Sequence, residues 1–495
     1  MYPMKTYSTK GLYLGKTDSE SENQDLLKFF RDYAGVFNDI NQGRFIITGR
    51  KGAGKSAYAV YLQEKAKKDE TIWCDRVKSY EFDLEKIIQE IPEGQVRFEA
   101  FYEWVILTKL SKLVIDSELG KYTGEYRALE QFYRHNSGIV DIDKYVITEV
   151  LTNKEVNFAP LNSRFGFFSR IFGYKQTKAK FYQLIKPLKE TIASILEKPV
   201  YKEASFYVIF DDLDIKFDYN NDVDKTMIMD LIRIAKDYNT DVLRNTNARI
   251  LLFLRDDISD RLVGVESDTN KTFTSAISVI NWYAMDQINR EDAECHLKSF
   301  VNDRLRIAFD NMKIPYGDDP WNNFVEEEFK YLNIRNESPK IKNSFKAVLD
   351  YTFYLPRDIM SIFMDIGKCN WKLPLKQEQV YTLLRNYSKL KRNEVYDELK
   401  YLLSPEDRDK VFNILEVLSN NETNSSYEEV LTTIQFYGMP QISTFKLMLD
   451  YSLLVPVDKT GRYYFNYREQ EISKHFENFT YKVHRILKMY FSANT

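Results

Sequence analysis

Eight consecutive residues, Gly49-Arg50-Lys51-Gly52-Ala53-Gly54-Lys55-Ser56, read G-x-x-x-x-G-K-S without a gap. Small residues let successive backbone N–H groups turn inward around an anion, and a helix starting at the end of the run adds partial positive charge. In that arrangement Lys55 reaches the β- and γ-phosphates of a nucleotide, and the Ser56 hydroxyl is a ligand for Mg²⁺. The run from Gly49 to Ser56 is therefore a candidate nucleotide-binding loop. The competing interpretation, a chance Gly/Lys turn, does not require an ordered strand before it and a helix after it. Both are expected here. Phe45, Ile46 and Ile47 form a short apolar run of the kind a buried parallel strand shows, and the chain from Ser56 is Ala-rich with helical apolar spacing.

A phosphate loop needs an acidic partner for the metal at the end of another buried strand. FYVIFDDLD supplies it: Phe206 to Phe210 are apolar and β-prone, and Asp211, Asp212 and Asp214 follow. Acids packed at a strand end repel one another unless a cation sits there. Asp211 is the candidate metal partner, directly or through water, and Asp212 stands where a base could orient the attacking water. A solvated turn after a core strand is the alternative. A third strand, RILLFL (Arg249–Leu254), runs into Arg255-Asp256-Asp257, which makes Arg255 a candidate sensor of the γ-phosphate. AISVINW (Ala276–Trp282) is expected to complete the parallel set, and TIWC (Thr71–Cys74) to be an outer strand. Charged residues thus gather at the carboxyl ends of strands, where open α/β sheets place their ligands. With the loop first and the acids later, separated by a long helical insertion, the order is that of an additional-strand P-loop ATPase.

One further segment stands out. In YLPRDIMSIF (Tyr354–Phe363), Pro356 and Asp358 suit the first turn of a helix, whereas Arg357 opposes the helix dipole. A residue placed against its local preference is a functional candidate. An ordinary ion pair between Arg357 and a neighbouring carboxylate is the other possibility.

Composition narrows the class. The chain has 495 residues, 44% hydrophobic and 29% charged, which fits two or three folded domains. A net charge of −3 argues against nucleic-acid binding by the whole surface, though not against a local basic patch. Cys74, Cys295 and Cys369 have neither metal nor disulfide spacing, the four histidines lack metal spacing, and no Ser, Cys or His shows a nucleophile pairing. The amino terminus MYPMKTYSTK lacks the apolar core of a signal peptide, and no apolar run of membrane-spanning length occurs. A cytoplasmic, reducing location without membrane insertion is expected.

After Lys391 the pattern changes. Ser404-Pro405-Glu406 starts one helix, Ser426-x-x-Glu429 is a capping box for a second that stops at Gly438, and QISTFKLMLDYSLL makes a third. VPVDKTGRYYFNY then reads as a hairpin turning at Asp458–Gly461. Three helices and a hairpin make a winged helix, but the third helix offers little positive charge beyond Lys446. Regulatory or partner-binding use and DNA contact both remain open. The segment Ser163–Lys180 alternates aromatics with Arg and Lys, a mix that stacks on unpaired bases, docks a partner, or plugs the core with its Phe residues. The preceding FEAFYEWVILTKLSKLVID (Phe98–Asp116) is read as a core helix.

With these pieces assembled, the chain resembles the AAA+/STAND group of P-loop ATPases, near the bacterial stand-alone KAP and Orc-like branches. The matching stretches are GRKGAGKS (Gly49–Ser56), VIFDDLD (Val208–Asp214), FLRDD (Phe253–Asp257) and PRD (Pro356–Asp358). The resemblance implies an α/β P-loop fold whose parallel sheet carries a helical insertion and a helical lid, followed by the winged helix. The expected divisions are 1–285 for the core with its insertion at about 95–200, 286–390 for the lid and 391–495 for the winged helix. It further implies ATP and Mg²⁺ as ligands, Arg255 and Arg357 as γ-phosphate readers, and a partner protein or a second copy as the controlled target. Two departures bear on rate: Asp212 stands where many members have Glu, and the segment before Ala276 offers only Lys271 in place of an arginine finger. The implied role is a slowly hydrolysing, nucleotide-dependent switch of the kind found in mobile elements and phage (antiviral) defence. An Orc-like DNA-associated ATPase is the alternative.

Overall fold

A computed structural model describes residues 7–22, 25–78, 97–135, 149–152, 177–213, 222–262, 275–283, 295–332, 339–421, 423–468 and 475–493. The chain divides into two compact units, one of residues 23–280 and one of residues 1–22 with 281–495. The first is an α/β unit built on a parallel sheet. Its strands are β1 (Ile46–Gly49), β2 (Ile72–Lys78), β3 (Ser205–Asp211), β4 (Ala248–Arg255) and β5 (Ile277–Ile280), in the order β2-β3-β4-β1-β5. Every neighbouring pair is parallel. β3 and β4 are nearly continuous apolar runs because both faces are covered; Val208, Ile209, Phe210, Ile250, Leu251 and Leu252 have no exposed surface. The strand expected over Ala276–Trp282 is shorter, because the chain is helical at Ala276 and again from Trp282. TIWC proves to be the start of the longer edge strand β2.

Helix α1 (Lys55–Ala66) follows β1 after the glycine-rich turn. The segment between β2 and β3 contributes α2 (Arg97–Ser117), a short helix Gly124–His135, a two-stranded hairpin (Glu149–Thr152 with Thr177–Lys180) and α3 (Phe181–Leu196). As expected for a core helix, α2 is apolar almost all round, with Val105, Ile106, Leu107 and Leu110 fully buried. It packs against α3, against α4 (Asp222–Asp237), and on the sheet at β2 and β3. Of the basic-aromatic stretch Ser163–Lys180, positions 163–176 lie outside the described residues; the rest is the second hairpin strand.

In the other unit, α5 (His296–Met312) carries a buried arginine, Arg304, whose guanidinium forks onto Glu22 at 2.7 and 3.1 Å and also meets the Leu14 carbonyl at 2.9 Å. This clamp fastens residues 7–22 within this unit. α6 (Pro356–Phe363) and α7 (Gln377–Glu398) follow, and α7 runs without interruption through the boundary expected at 390/391. Asp358 and Lys391 form a buried ion pair at 3.0 Å between these helices, with side-chain exposures of 0% and 4%. The pair is well supported: Asp358 accepts the Phe353 N–H at 2.7 Å, and Lys391 reaches Glu394 at 3.0 Å and lies 4.8 Å from the centre of the Phe353 ring.

The carboxyl-terminal part runs α8 (Pro405–Ser419), β6 (Ser425–Ser426), α9 (Tyr427–Phe436), α10 (Gln441–Asp450), β7 (Leu454–Val457), β8 (Thr480–Val483) and α11 (Arg485–Ser492). Ser404 caps α8, and the Ser426/Glu429 capping box opens α9, as their spacing predicts. The hairpin differs from expectation. Its turn forms, with Asp458 accepting the N–H groups of Thr460 and Arg462, but the RYYFNY arm makes only a single bridge, Tyr463 with Val457. The antiparallel partner of β7 is instead β8, which gives the sheet order β6-β8-β7. The reason is alternation: Tyr481 and Val483 point inward between exposed Thr480 and Lys482, whereas RYYFNY has no such period.

Replacing Lys391 with Met strands a fully buried Asp358 and is expected to cost about 3–5 kcal/mol in urea denaturation. The pairing raises the Lys391 pKa: burial lowers it, but Asp358 and Glu394 outweigh that. Its contribution is therefore complete below the ordinary lysine pKa of about 10.4 and is lost only as pH rises beyond it. Wild-type stability that falls between neutral pH and that value in parallel with the Lys391→Met difference would contradict this assignment.

Candidate nucleotide site

The candidate loop carries the chain from β1 into α1. β1 lies between β4 and β5, with Gly49 paired to Arg255 on one side and Ile280 on the other. A side chain at 49 would place its Cβ 3.0 Å from the Ile280 carbonyl oxygen and 3.3 Å from the Ala53 Cβ. Gly52 and Gly54 have φ of +85° and +102°, conformations that L-residues avoid. Nothing crowds a Cβ at Gly54, so backbone angle alone demands glycine there. Gly54 is the N-cap of α1 and supplies no side-chain cap, so the first turn of the helix, with Lys55 and Ser56, is headed by backbone only. The Lys55 ammonium folds over the loop and donates to the carbonyls of Gly49 at 2.6 Å and Arg50 at 3.1 Å. Arg50, Lys51, Gly52, Gly54, Lys55 and Ser56 are half-buried and Ala53 is buried.

Two strands away, β3 ends at Asp211, which is 2% exposed. The sequence calls for a cation among these acids, and the chain itself provides one. Arg76 of β2 donates to Asp211 Oδ2 at 2.6 Å and to Asp212 Oδ2 at 3.3 Å, and Lys78 Nζ lies 3.9 Å from the same Asp212 oxygen. The other Asp211 oxygen accepts the Asp212 N–H at 2.8 Å. Asp212 has φ +56°, a left-handed conformation uncommon outside glycine and found preferentially at functional turns. Asp214 lies outside the described residues.

Between them, β4 delivers a third set of charges. Arg255 is buried and grips Asp257 with two bonds of 2.9 and 2.7 Å. Beside it, burial pushes the Asp256 carboxyl pKa above its usual value, while the positive charges of Arg50 and Lys55 pull it down. The carboxyl end of β4 therefore faces the loop's cations. Gly49–Ser56, Asp211, Asp212 and Arg255 all stand at the carboxyl edge of one parallel sheet, separated by no more than one strand.

Arg357 belongs to the other unit. It starts α6 behind Pro356 and pairs with Glu394 of α7 at 3.4 Å, the carboxylate partner that its position against the helix dipole calls for. Lys271, the residue in place of an arginine finger, is outside the described residues. Arg76 and Glu394 fall in none of the sequence motifs. Arg76 had a signal, since Asp75-Arg76 interrupts an otherwise apolar strand; Glu394 is set only by packing.

Among the described residues, no group of three or more His, Cys, Asp and Glu is arranged to hold a metal ion, and no helix is long and apolar enough to cross a membrane. No known protein-family profile matches the chain. Among curated proteins, it is similar to a "transposon gamma-delta 80.3 kDa protein" of Escherichia coli (strain K12), 20% identical over 370 residues. That match takes in 72% of this chain and 46% of the other, so the chain spans about half the length of this relative.

Removing Arg76 leaves Asp211 buried without its cation. Arg76→Ala is expected to lose about 3–5 kcal/mol in urea denaturation, and Arg76→Lys less. If Arg76→Ala unfolds at the wild-type midpoint, the pair does not hold this edge of the sheet together.

Proposed function

We propose that the chain is an ATP-binding, slowly hydrolysing P-loop ATPase that works as a nucleotide-dependent switch. The observation that carries this is the place of the gapless G-x-x-x-x-G-K-S run. It turns from a central parallel strand into a helix, with the acid-ended strand β3 one strand beyond β4. That interposed strand supports the additional-strand class and the AAA+/STAND resemblance.

The loop fits a triphosphate. Its backbone is already curved by Gly52 and Gly54, its helix N-terminus has no side-chain cap, and Lys55 would exchange two carbonyl oxygens for phosphate oxygens. Ser56 and Asp211 offer the oxygen donors Mg²⁺ takes. Both Asp211 oxygens are engaged, so Asp211 suits a water-bridged role while Ser56 suits direct contact. Mg²⁺ would neutralise charge on the phosphates. Asp212, raised on its left-handed turn, is the residue to orient the attacking water, and its short side chain favours slow turnover. Arg255 reads the γ-phosphate from β4 once it leaves Asp257.

The switch half of the proposal rests on a continuous set of contacts within residues 281–495. Arg357 pairs with Glu394, Glu394 with Lys391, and Lys391 lies against Phe353, whose ring stacks on His484 at 4.3 Å just before α11. A displacement of Arg357 from Glu394 would disturb α7 and, through it, the carboxyl-terminal part. The order of helices and strands there fits a winged helix, used as a regulatory or partner-binding element, because α10 carries Lys446 as its single Lys or Arg. The similarity to a protein named for a transposon is compatible with a mobile-element setting.

Lys55→Ala should abolish ATP binding in calorimetry; unchanged affinity would remove the phosphate loop from consideration. Asp211→Asn should weaken Mg²⁺-dependent binding, and Asp212→Asn should spare binding and lower a turnover already below about one per second, the bottom of the usual enzyme range. Arg357→Ala should keep nucleotide affinity but lose the difference between ATP and ADP in limited proteolysis near Lys391. Tight, salt-sensitive duplex DNA binding that survives Arg357→Ala, without nucleotide-dependent protection, would instead support a DNA-associated ATPase.

A further inference from the structure

Far along the chain from the nucleotide loop, the carboxyl-terminal part encloses a cavity of about 250 Å³. It lies among the end of α8, residues Asn421, Thr423 and Asn424, strands β7 and β8 and the start of α11. Val455 and Tyr481 contribute apolar wall, and Lys482, Arg485 and Lys488 contribute three cations. Arg485 and Lys488 are three apart in the first turn of α11, so they share a face. They also stand at the positive end of the helix dipole, where a carboxylate is favourable and a cation is not. Cations gathered against the local field call for an anion.

Among the described residues one acid lines the cavity, Asp350, and it is divided between Arg485 and Lys342, the latter at 2.5 Å. Among the described residues Lys488 has no carboxylate partner. The Tyr463 hydroxyl accepts from Lys482 at 3.3 Å, with Lys482 and Arg485 at 5.6 and 5.8 Å from its ring centre. Burial would raise the Tyr463 pKa, but the two cations hold it below its ordinary value, whereas buried Tyr481 is raised. At the Tyr463 hydroxyl the two cations outweigh burial. Asn421 and Asn424 add side-chain amides to the lining.

We infer that this cavity binds a compact phosphate monoester. Three cations and a phenol suit a doubly charged phosphate, and the Val455–Tyr481 wall suits a small organic body. The volume lies just under the ~300–1,000 Å³ that holds drug-sized ligands, which favours a small ester over a dinucleotide. The concave shape and the acid at its rim favour a small molecule over a nucleic-acid backbone, which prefers an unbroken basic track. This site is separate in sequence and chemistry from Gly49–Ser56.

The test uses the full chain carrying Lys55→Ala, so that the loop does not contribute. Calorimetry with ribose 5-phosphate is expected to show one site per chain, with inorganic phosphate competing more weakly. Lys482→Ala/Lys488→Ala, in two exposed side chains, should weaken binding about tenfold or more, the worth of one charge-assisted contact. The thermal midpoint should stay unchanged. Tyr463→Phe should weaken it less. Absence of saturable binding at millimolar ligand, or binding that the double variant leaves intact, overturns the proposal. So does duplex DNA binding that the double variant abolishes when neither small phosphate binds, which would assign the cations to nucleic acid.

Discussion

The α/β unit depends on a steric constraint at Gly49. At that point an interior strand must leave the sheet and turn into α1, and the Ile280 carbonyl would crowd an added Cβ at 3.0 Å. The next turns need left-handed backbone at Gly52 and Gly54. A loop that satisfies these demands presents backbone and little else. The helix end without a side-chain cap follows from the same small residues that let the chain turn.

Around that loop the sheet edge solves a charge problem. Buried carboxylates at strand ends are costly unless neutralised, and each is given an internal partner: Asp211 and Asp212 take Arg76, and Asp257 takes Arg255. Asp256 is held near Arg50 and Lys55. The site therefore folds with its charges balanced among themselves. Under the proposed function, a polyphosphate with its metal would enter as an exchange of partners, which costs less than placing a new charge in an apolar setting.

The other unit uses buried ions to fix helix geometry. The Arg304–Glu22 fork ties residues 7–22 in place, and the Asp358–Lys391 pair sets α6 against α7. Such pairs lock one arrangement because a shifted register would strand a charge. They also place Arg357, Glu394, Phe353 and His484 in one continuous series of contacts, which a purely apolar interface would not define as sharply.

Much of this was legible in the sequence because it is local. The glycine run specifies its own backbone, the apolar runs of β3 and β4 specify burial, and Ser404, Ser426/Glu429 and Pro356 specify helix starts through bonds closed within a few residues. Those features named Gly49–Ser56, Asp211, Asp212 and Arg255 as one candidate set and placed them at strand ends. What the sequence could not settle is pairing across distance. Arg76 meets Asp211 only because β2 lies beside β3; β7 chooses β8 over the nearer RYYFNY arm because side-chain alternation, not proximity, decides burial; and Arg485 meets Asp350, 135 residues earlier, only in the folded unit. Local bonds are written in adjacent residues, whereas long-range partners are selected by which surfaces the completed fold brings face to face.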